Sequence, residues 1–208
     1  MEIKHDKVDA VIVGAGAGGG IVAKQLAVAG FKCVLLERGQ WPDYDDSPND
    51  ELINQRTHAI RPLHFMDRRK FVDSEKPWIT DSFLNAACVG SGTVTYGAMA
   101  WRFMPQDFKL HTLYPDIKDS ALADWPITYD DLEPFYEQAE YEIGVSGDQS
   151  QNPFAPPRKK DFPMPAFEYN KEDREVLIPA IKRMGFHPYP IPMLRNSVRY
   201  NGLSLIHI

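Results

Sequence analysis

The sequence predicts an α/β fold organised around a β-α-β unit at its start, and three observations predict it. Val8 and Val11 to Val13 form a β-branched apolar run, which suits a buried parallel strand. Gly14, Gly16 and Gly19 follow at G-x-G-x-x-G spacing. A second apolar run, Cys33-Val34-Leu35-Leu36, comes after Gly30 and ends on Glu37, eighteen residues past Gly19.

Each glycine of the turn has a physical task. Gly14 permits the sharp exit from the strand, Gly16 lets a pyrophosphate approach the backbone, and Gly19 lets the following helix lie close to the sheet. That helix is expected over residues 21–29, with free N–H groups and the positive end of its dipole aimed at the ligand. Glu37 can accept hydrogen bonds from a ribose. A lone glycine turn with no ligand is the plainer reading of G-x-G-x-x-G. The second strand and its terminal acid argue against it.

After Glu37 the chain runs through Arg38-Gly39-Gln40-Trp41-Pro42 into an acidic loop, then a short helix is expected over residues 50–59. Residues 60–80 read as loop or weak strand, and their cations Arg61, Arg68, Arg69 and Lys70 as a solvated surface rather than a phosphate site. The second informative stretch is residues 87–103, where Gly90 to Thr93 concentrate small residues and hydroxyls. Such a segment can close on a ligand's phosphates or ring. A glycine loop joining two strands is the alternative.

Thr128 with Asp131 forms a capping-box pattern and predicts a helix over residues 129–143. Leu132, Phe135, Tyr136, Ala139 and Ile143 give it an apolar stripe expected to face the core. Pro134 falls early in it, and Gly144 stops it. Residues 152–165 are proline-rich and expected to be extended. Asn170 is expected to cap a helix over residues 171–184, closed by Gly185. Residues 187–192 alternate proline with other residues and cannot form a central strand.

Composition narrows the function classes. The 208 residues are 43% hydrophobic and 25% charged, ordinary for a soluble globular protein. A net charge of −6 argues against a nucleic-acid partner. No apolar run is long enough to span a bilayer. Cys33 and Cys88 make no metal or disulfide framework, and no metal site is expected. Many of the 17 prolines lie after residue 104, which points to irregular, extended chain there. The polar start, Met1 to Lys7, shows no signal peptide or twin-arginine leader, so the cytoplasm is the default compartment. The last six residues, 203–208, form the hexapeptide that a common sequencing adapter encodes in one reading frame. They are expected to be a non-native tail, with the native chain running on past Gly202.

Four segments together resemble the glucose–methanol–choline (GMC) oxidoreductases, and within them the bacterial flavoprotein subunits of gluconate and related dehydrogenases. They are residues 14–19, Leu36-Glu37-Arg38-Gly39, residues 90–103 and residues 124–136. The first two are shared by many flavoproteins; the last two are more specific. The resemblance implies an FAD-binding Rossmann-like core with irregular Pro-rich segments and part of a substrate or cap domain. It divides the chain into an FAD-binding portion, 1–125, and the start of a substrate or cap domain, 126–202.

The resemblance further implies that FAD is held by Gly14, Ala15, Gly16, Gly19, Glu37 and Arg38. It sets Gly90, Gly92, Thr93, Tyr96, Gly97 and Ala98 beside the pyrophosphate, ribityl chain and ring. The family's paired glycine is Gly90-Ser91 here, and its Asn or His near the flavin corresponds to Tyr96 or Thr95. Some relatives attach FAD through a histidine near that point. Thr95 cannot form that bond, so noncovalent FAD is expected. The implied reaction oxidises an alcohol, polyol, sugar or sugar acid. A base takes the hydroxyl proton while hydride passes to flavin N5. The family's histidine pair is expected beyond residue 208. His58, His64, His111 and His187 match no part of that motif, so no catalytic residue is assigned. A cytochrome or small-subunit partner is implied, and through it a periplasmic or membrane-associated location. A nicotinamide-dependent Rossmann dehydrogenase and a catalytically inactive FAD-binding fragment are the alternatives.

Overall fold

The computed structural model describes residues 7–42, 67–69, 76, 78–80, 86–94 and 96–203. The expected helix over 50–59, Arg61, Lys70, His58, His64, Thr95 and the tail beyond Leu203 lie outside the described residues. Of Arg68 and Arg69 only the backbone is described. The chain divides into two compact units, Met1–Gly97 and Ala98–Ile208.

The first unit is built on β1 (Ala10–Val13), α1 (Ala17–Val28) and β2 (Cys33–Leu36). The strands pair in parallel, from Ala10 opposite Cys33 to Val13 opposite Leu36. Parallel neighbours need a crossover, and α1 supplies it. Asp9 sets the register: its Oδ2 accepts from Lys32 N at 2.8 Å while its own N–H donates to Lys32 O at 2.8 Å.

The two strands fall where their apolar runs predict. The helix starts at Ala17, four residues ahead of the expected Ile21, and ends at Val28. It therefore takes Gly18, Gly19 and Gly20 into its opening turns, although glycine disfavours a helix interior by about 1 kcal/mol each. The expected burial of the first strand is not met among the described residues. Val11 is exposed and Val13 is 83% exposed. There β1 pairs with β2 alone and α1 buries no residue, too few layers to enclose an apolar run. Residues 60–80 contain a short antiparallel pair, β3 (Asp67–Arg69) with β4 (Trp78–Thr80).

The chain then returns to the end of β2. Val89 N donates to Gln40 O at 2.9 Å, and Ala87 and Cys88 are buried beside it. A single 3₁₀ turn, Ser91–Val94, follows.

The second unit begins with extended chain, a 3₁₀ turn over Pro105–Lys109 and the short α2 (Leu110–Leu113). Asp107 caps the turn, accepting from Met104 N at 2.7 Å. Phe108 is fully buried and packs edge-on against Phe103 and Trp125, with centroids 6.1 Å away in each case.

The long helix α3 (Tyr129–Ile143) starts as its capping box predicts. Thr128 N and Thr128 Oγ1 both donate to Asp131 Oδ2 at 2.8 Å. Gly144, at φ +93°, ends it. The expected apolar core stripe is a correction. Phe135 is 65% exposed, Ile143 and Ala139 are also exposed, and the buried residues of α3 are Tyr129, Glu133 and Glu140. The helix turns a charged face inward because arginines reach it from two other segments.

Beyond α3, β5 (Ser146–Gly147) pairs in parallel with β6 (Met164–Pro165), and Ser146 exchanges two 2.9 Å backbone bonds with Met193. Val145, Ser146 and Met164 are the buried centre. Asn170 caps the next helix as expected, its Oδ1 accepting from Asp173 N at 2.7 Å. That helix starts at residue 171 and widens into a π turn, Asp173–Leu177, before α4 (Ile178–Arg183). Pro179 accounts for the wide turn: it has no N–H to offer the carbonyl four residues back, and its ring needs room there.

Candidate functional site

The peptide groups of Ala15 join three separate stretches of the first unit. Ala15 N donates to Glu37 Oε2 at 2.8 Å, at the end of β2. Ala15 O accepts from Gly90 N at 3.0 Å, at the start of the second glycine segment. Glu37 Oε1 accepts in turn from Gly39 N at 2.9 Å. The carboxylate thus clasps the glycine turn while remaining half-buried, with lone pairs left for a further donor.

The turn has the shape its glycines require. Gly14 sits at φ +94°, and its N–H donates to Leu36 O at 2.7 Å. A Cβ on Gly19 would stand 1.9 Å from Gly14 O, so only glycine lets α1 seat against the turn. A Cβ on Gly16 would lie 3.4 Å from Ser91 Cβ. Gly16 is the N-cap of α1 and supplies no side-chain cap. The N–H groups of the first turn of α1 therefore have no acceptor within the helix, the arrangement that can accept an anion.

These pieces surround a cavity of about 260 Å³. Gly14, Gly16, Glu37 and Arg38, all expected from the sequence, line it, as does Ser91 of the second glycine segment, and so do Val13, Leu36 and Ala86, which were not expected. Ala15 lies beneath as the hub, and Gly19 packs against the turn. Gly90 reaches the site through its N–H. Gly92 and Thr93 do not line the cavity: Thr93 Oγ1 donates to Gly90 O, and Gly92 O accepts from Tyr96 N at 3.1 Å. Tyr96 and Gly97 are exposed. Ala98 belongs to the second unit, where it holds φ +58° and its carbonyl accepts from Leu194 N at 2.7 Å.

The electrostatics follow from these bonds. The Ala15 N–H, then the Gly39 N–H, hold the Glu37 carboxyl below the ordinary glutamate range, with Arg38 adding to the effect. Burial pushes the Cys88 thiol up, and the nearby Glu37 charge pushes the same way. Cys88 therefore stays a neutral thiol under the loop. Partial desolvation, on a side chain that stays exposed, also raises the Tyr96 hydroxyl.

A cradle of N–H groups, a backbone kept bare of side chains and a ribose-competent acid fit the adenosine diphosphate half of a dinucleotide. Among the described residues no cluster could hold a metal ion, and no helix is long and apolar enough to cross a membrane. Ala86 was the residue least accessible to sequence reasoning: it lies seventy positions from Gly16, and only folding brings the two to one cavity.

No protein-family model matches the chain. It is similar to the gluconate 2-dehydrogenase flavoprotein of Pantoea cypripedii, 31% identical over 94% of this chain and 36% of the relative. It is likewise similar to the fructose dehydrogenase large subunit of Gluconobacter japonicus, 31% identical over 93% of this chain and 38% of the relative. Among solved structures, the pyridoxine 4-oxidase from Mesorbium loti matches 93% of this chain and 38% of its own, at 16% identity and a TM-score of 0.49. The chain spans about a third of the length of these curated relatives.

Proposed function

The chain belongs to the GMC oxidoreductase family, and from that premise we propose that it is the FAD-gripping part of an oxidoreductase acting on the CH–OH group of an alcohol, polyol, sugar or sugar acid. The observation that carries the proposal is the cradle about Ala15. Glycine turn, helix start, Glu37 and Ser91 enclose one cavity suited to the adenosine diphosphate half of FAD.

Within the proposal each residue has a task. The first-turn N–H groups of α1 and the bare backbone at Gly16 take the pyrophosphate. Glu37 accepts from the ribose hydroxyls through the lone pairs its backbone bonds leave free. Gly90 ties the second glycine segment to the turn. Gly92, Thr93, Tyr96, Gly97 and Ala98 are assigned, on the family motif, to the ribityl chain and ring. The chemistry a bound FAD supplies is acceptance of hydride from the carbinol carbon. The chain's own residues bind and orient the cofactor. Neither His111 nor His187 is assigned as the base.

The proposal keeps the Rossmann-like description of the β1-α1-β2 core, noncovalent FAD and the functional division at residues 125 and 126. That the fructose dehydrogenase relative is a large subunit supports a partner subunit, proposed to carry electrons onward. The nicotinamide alternative has no account of residues 90–103 or 124–126.

The test is the visible spectrum of the purified protein, followed by anaerobic addition of gluconate, fructose or a simple polyol. A flavin band that acid precipitation releases into solution supports noncovalent FAD, and bleaching by one of these donors supports the reaction. A colourless protein that binds NAD instead would overturn the proposal, and flavin retained in the acid pellet would overturn its noncovalent part.

A further inference from the structure

Away from the cofactor cradle, we propose that the second unit contains a buried hydration site, one or two ordered waters held by Arg158 Nε in a small cavity walled by Trp101, Phe162 and Tyr189.

The argument begins with an imbalance among buried charges. Arg102 and Arg158 are 5% and 4% exposed, and both lean on the single carboxylate of Glu140. Arg102 takes it as a fork, Nε to Oε1 at 2.8 Å and Nη2 to Oε2 at 2.7 Å. Its remaining nitrogen, Nη1, reaches Tyr129 Oη at 3.1 Å and Glu133 Oε1 at 3.4 Å. Arg158 has what is left: Nη2 donates to Glu140 Oε2, and the guanidinium lies 3.6 Å from the centre of the Phe162 ring. Arg158 Nε is buried and meets no acceptor on the protein. Glu140 cannot turn toward it without giving up its fork with Arg102. Burial weighs most against the Arg158 charge; Glu140 opposes that, and Arg102 adds to it. A buried charged donor without a partner is the kind of group that ordered water satisfies.

Arg158 lines a cavity of about 30 Å³, together with Arg102, Glu140, Asp148 and Asn152. A water needs at least roughly 10–15 Å³ of such space and takes about 30 Å³ in the liquid, so the cavity suits one or two molecules and no larger ligand. Charge decides between water and a small anion. The lining carries two arginines against Glu140 and Asp148, a balanced set, and an anion at Nε would stand beside the Glu140 carboxylate. Water suits both sides, accepting from Nε and donating to oxygens of the same lining. Such waters would tie the turn after Asp148, itself held by Ser150 N and Oγ on Asp148 Oδ1, to the arginine cluster beneath α3.

A crystal structure of the whole protein, at a resolution that orders water, tests the proposal directly. It is to be paired with NMR cross-relaxation between water and the Arg158 Nε–H. One or two water peaks about 2.9 Å from Nε, with a water cross-peak, are expected. Nε bonded to a protein oxygen, or a dry cavity, would overturn the proposal. Titration with formate is the second arm. An unchanged melting temperature is expected, whereas saturable stabilisation by formate that Arg158→Lys abolishes would make this an anion site and overturn the water assignment. Both arms are read without flavin.

Discussion

Glu37→Gln keeps the shape of the side chain at the end of β2 but leaves one oxygen where the carboxylate has two. Both oxygens now face N–H groups, Ala15 N at 2.8 Å and Gly39 N at 2.9 Å. The amide can satisfy one of them and must turn its NH₂ toward the other. One charge-assisted bond is lost, worth about 1.5–3 kcal/mol, and partial exposure favours the lower end. A loss of about 1.5 kcal/mol corresponds to roughly tenfold in an equilibrium constant. The assay is amide hydrogen exchange at Ala15 and Gly39 in the flavin-free protein, alongside an FAD titration. One of the two amides should exchange about tenfold faster, and FAD should bind about tenfold more weakly or worse. If FAD binding weakens while both amides exchange as before, Glu37 acts on the ribose alone and the clasp is refuted. The same bond has a pH signature. The folded carboxyl is held below the usual 4.5 or so, so its stabilisation is fully present above that value. It should be lost as pH falls below that range, and Glu37→Gln should flatten the acid limb of flavin affinity.

Three further substitutions test other parts of the structure. Glu140→Gln removes the charge shared by Arg102 and Arg158, and urea denaturation should show a loss of about 3–5 kcal/mol; a loss under about 1 kcal/mol would mean the cluster behaves as a surface pair. Thr128→Ala deletes the α3 cap and should lower stability by about 1 kcal/mol in the same assay, with no effect on flavin affinity. Gly19→Ala drives a methyl to within 1.9 Å of Gly14 O and should lower flavin affinity sharply, with a stability loss of about 1–3 kcal/mol; wild-type binding would show that α1 does not seat as described.

What the sequence made legible was local. The glycine turn, the two flanking strands and the Thr128 and Asn170 caps depend on residues close in the chain, and each lies where its pattern placed it. The polar face of α3 was not legible. Nothing in the local pattern marks Glu133 and Glu140 for burial; their partners, Arg102, more than thirty positions earlier, and Arg158, come from other segments. The stripe of Leu132, Phe135 and Ile143 has the period of a core face, yet period alone does not say which side of a helix finds partners. The start of α1 departs from its pattern for a related reason: three glycines disfavour a helix, and the close seat of Gly19 against Gly14 O overrides that preference. Ser91 and Ala86 join the cavity only because the chain after residue 86 comes back to Gln40.

The central claim is that the turn over Gly14 to Gly19, clasped by Glu37, holds the adenosine diphosphate half of FAD. It is tested most directly by titrating the flavin-free protein with FAD in the presence of ADP, and repeating the titration with Gly16→Val. Competitive weakening by ADP, together with loss of FAD binding in the variant while its fold is retained, is the expected result. FAD binding that ignores ADP and survives Gly16→Val would contradict it.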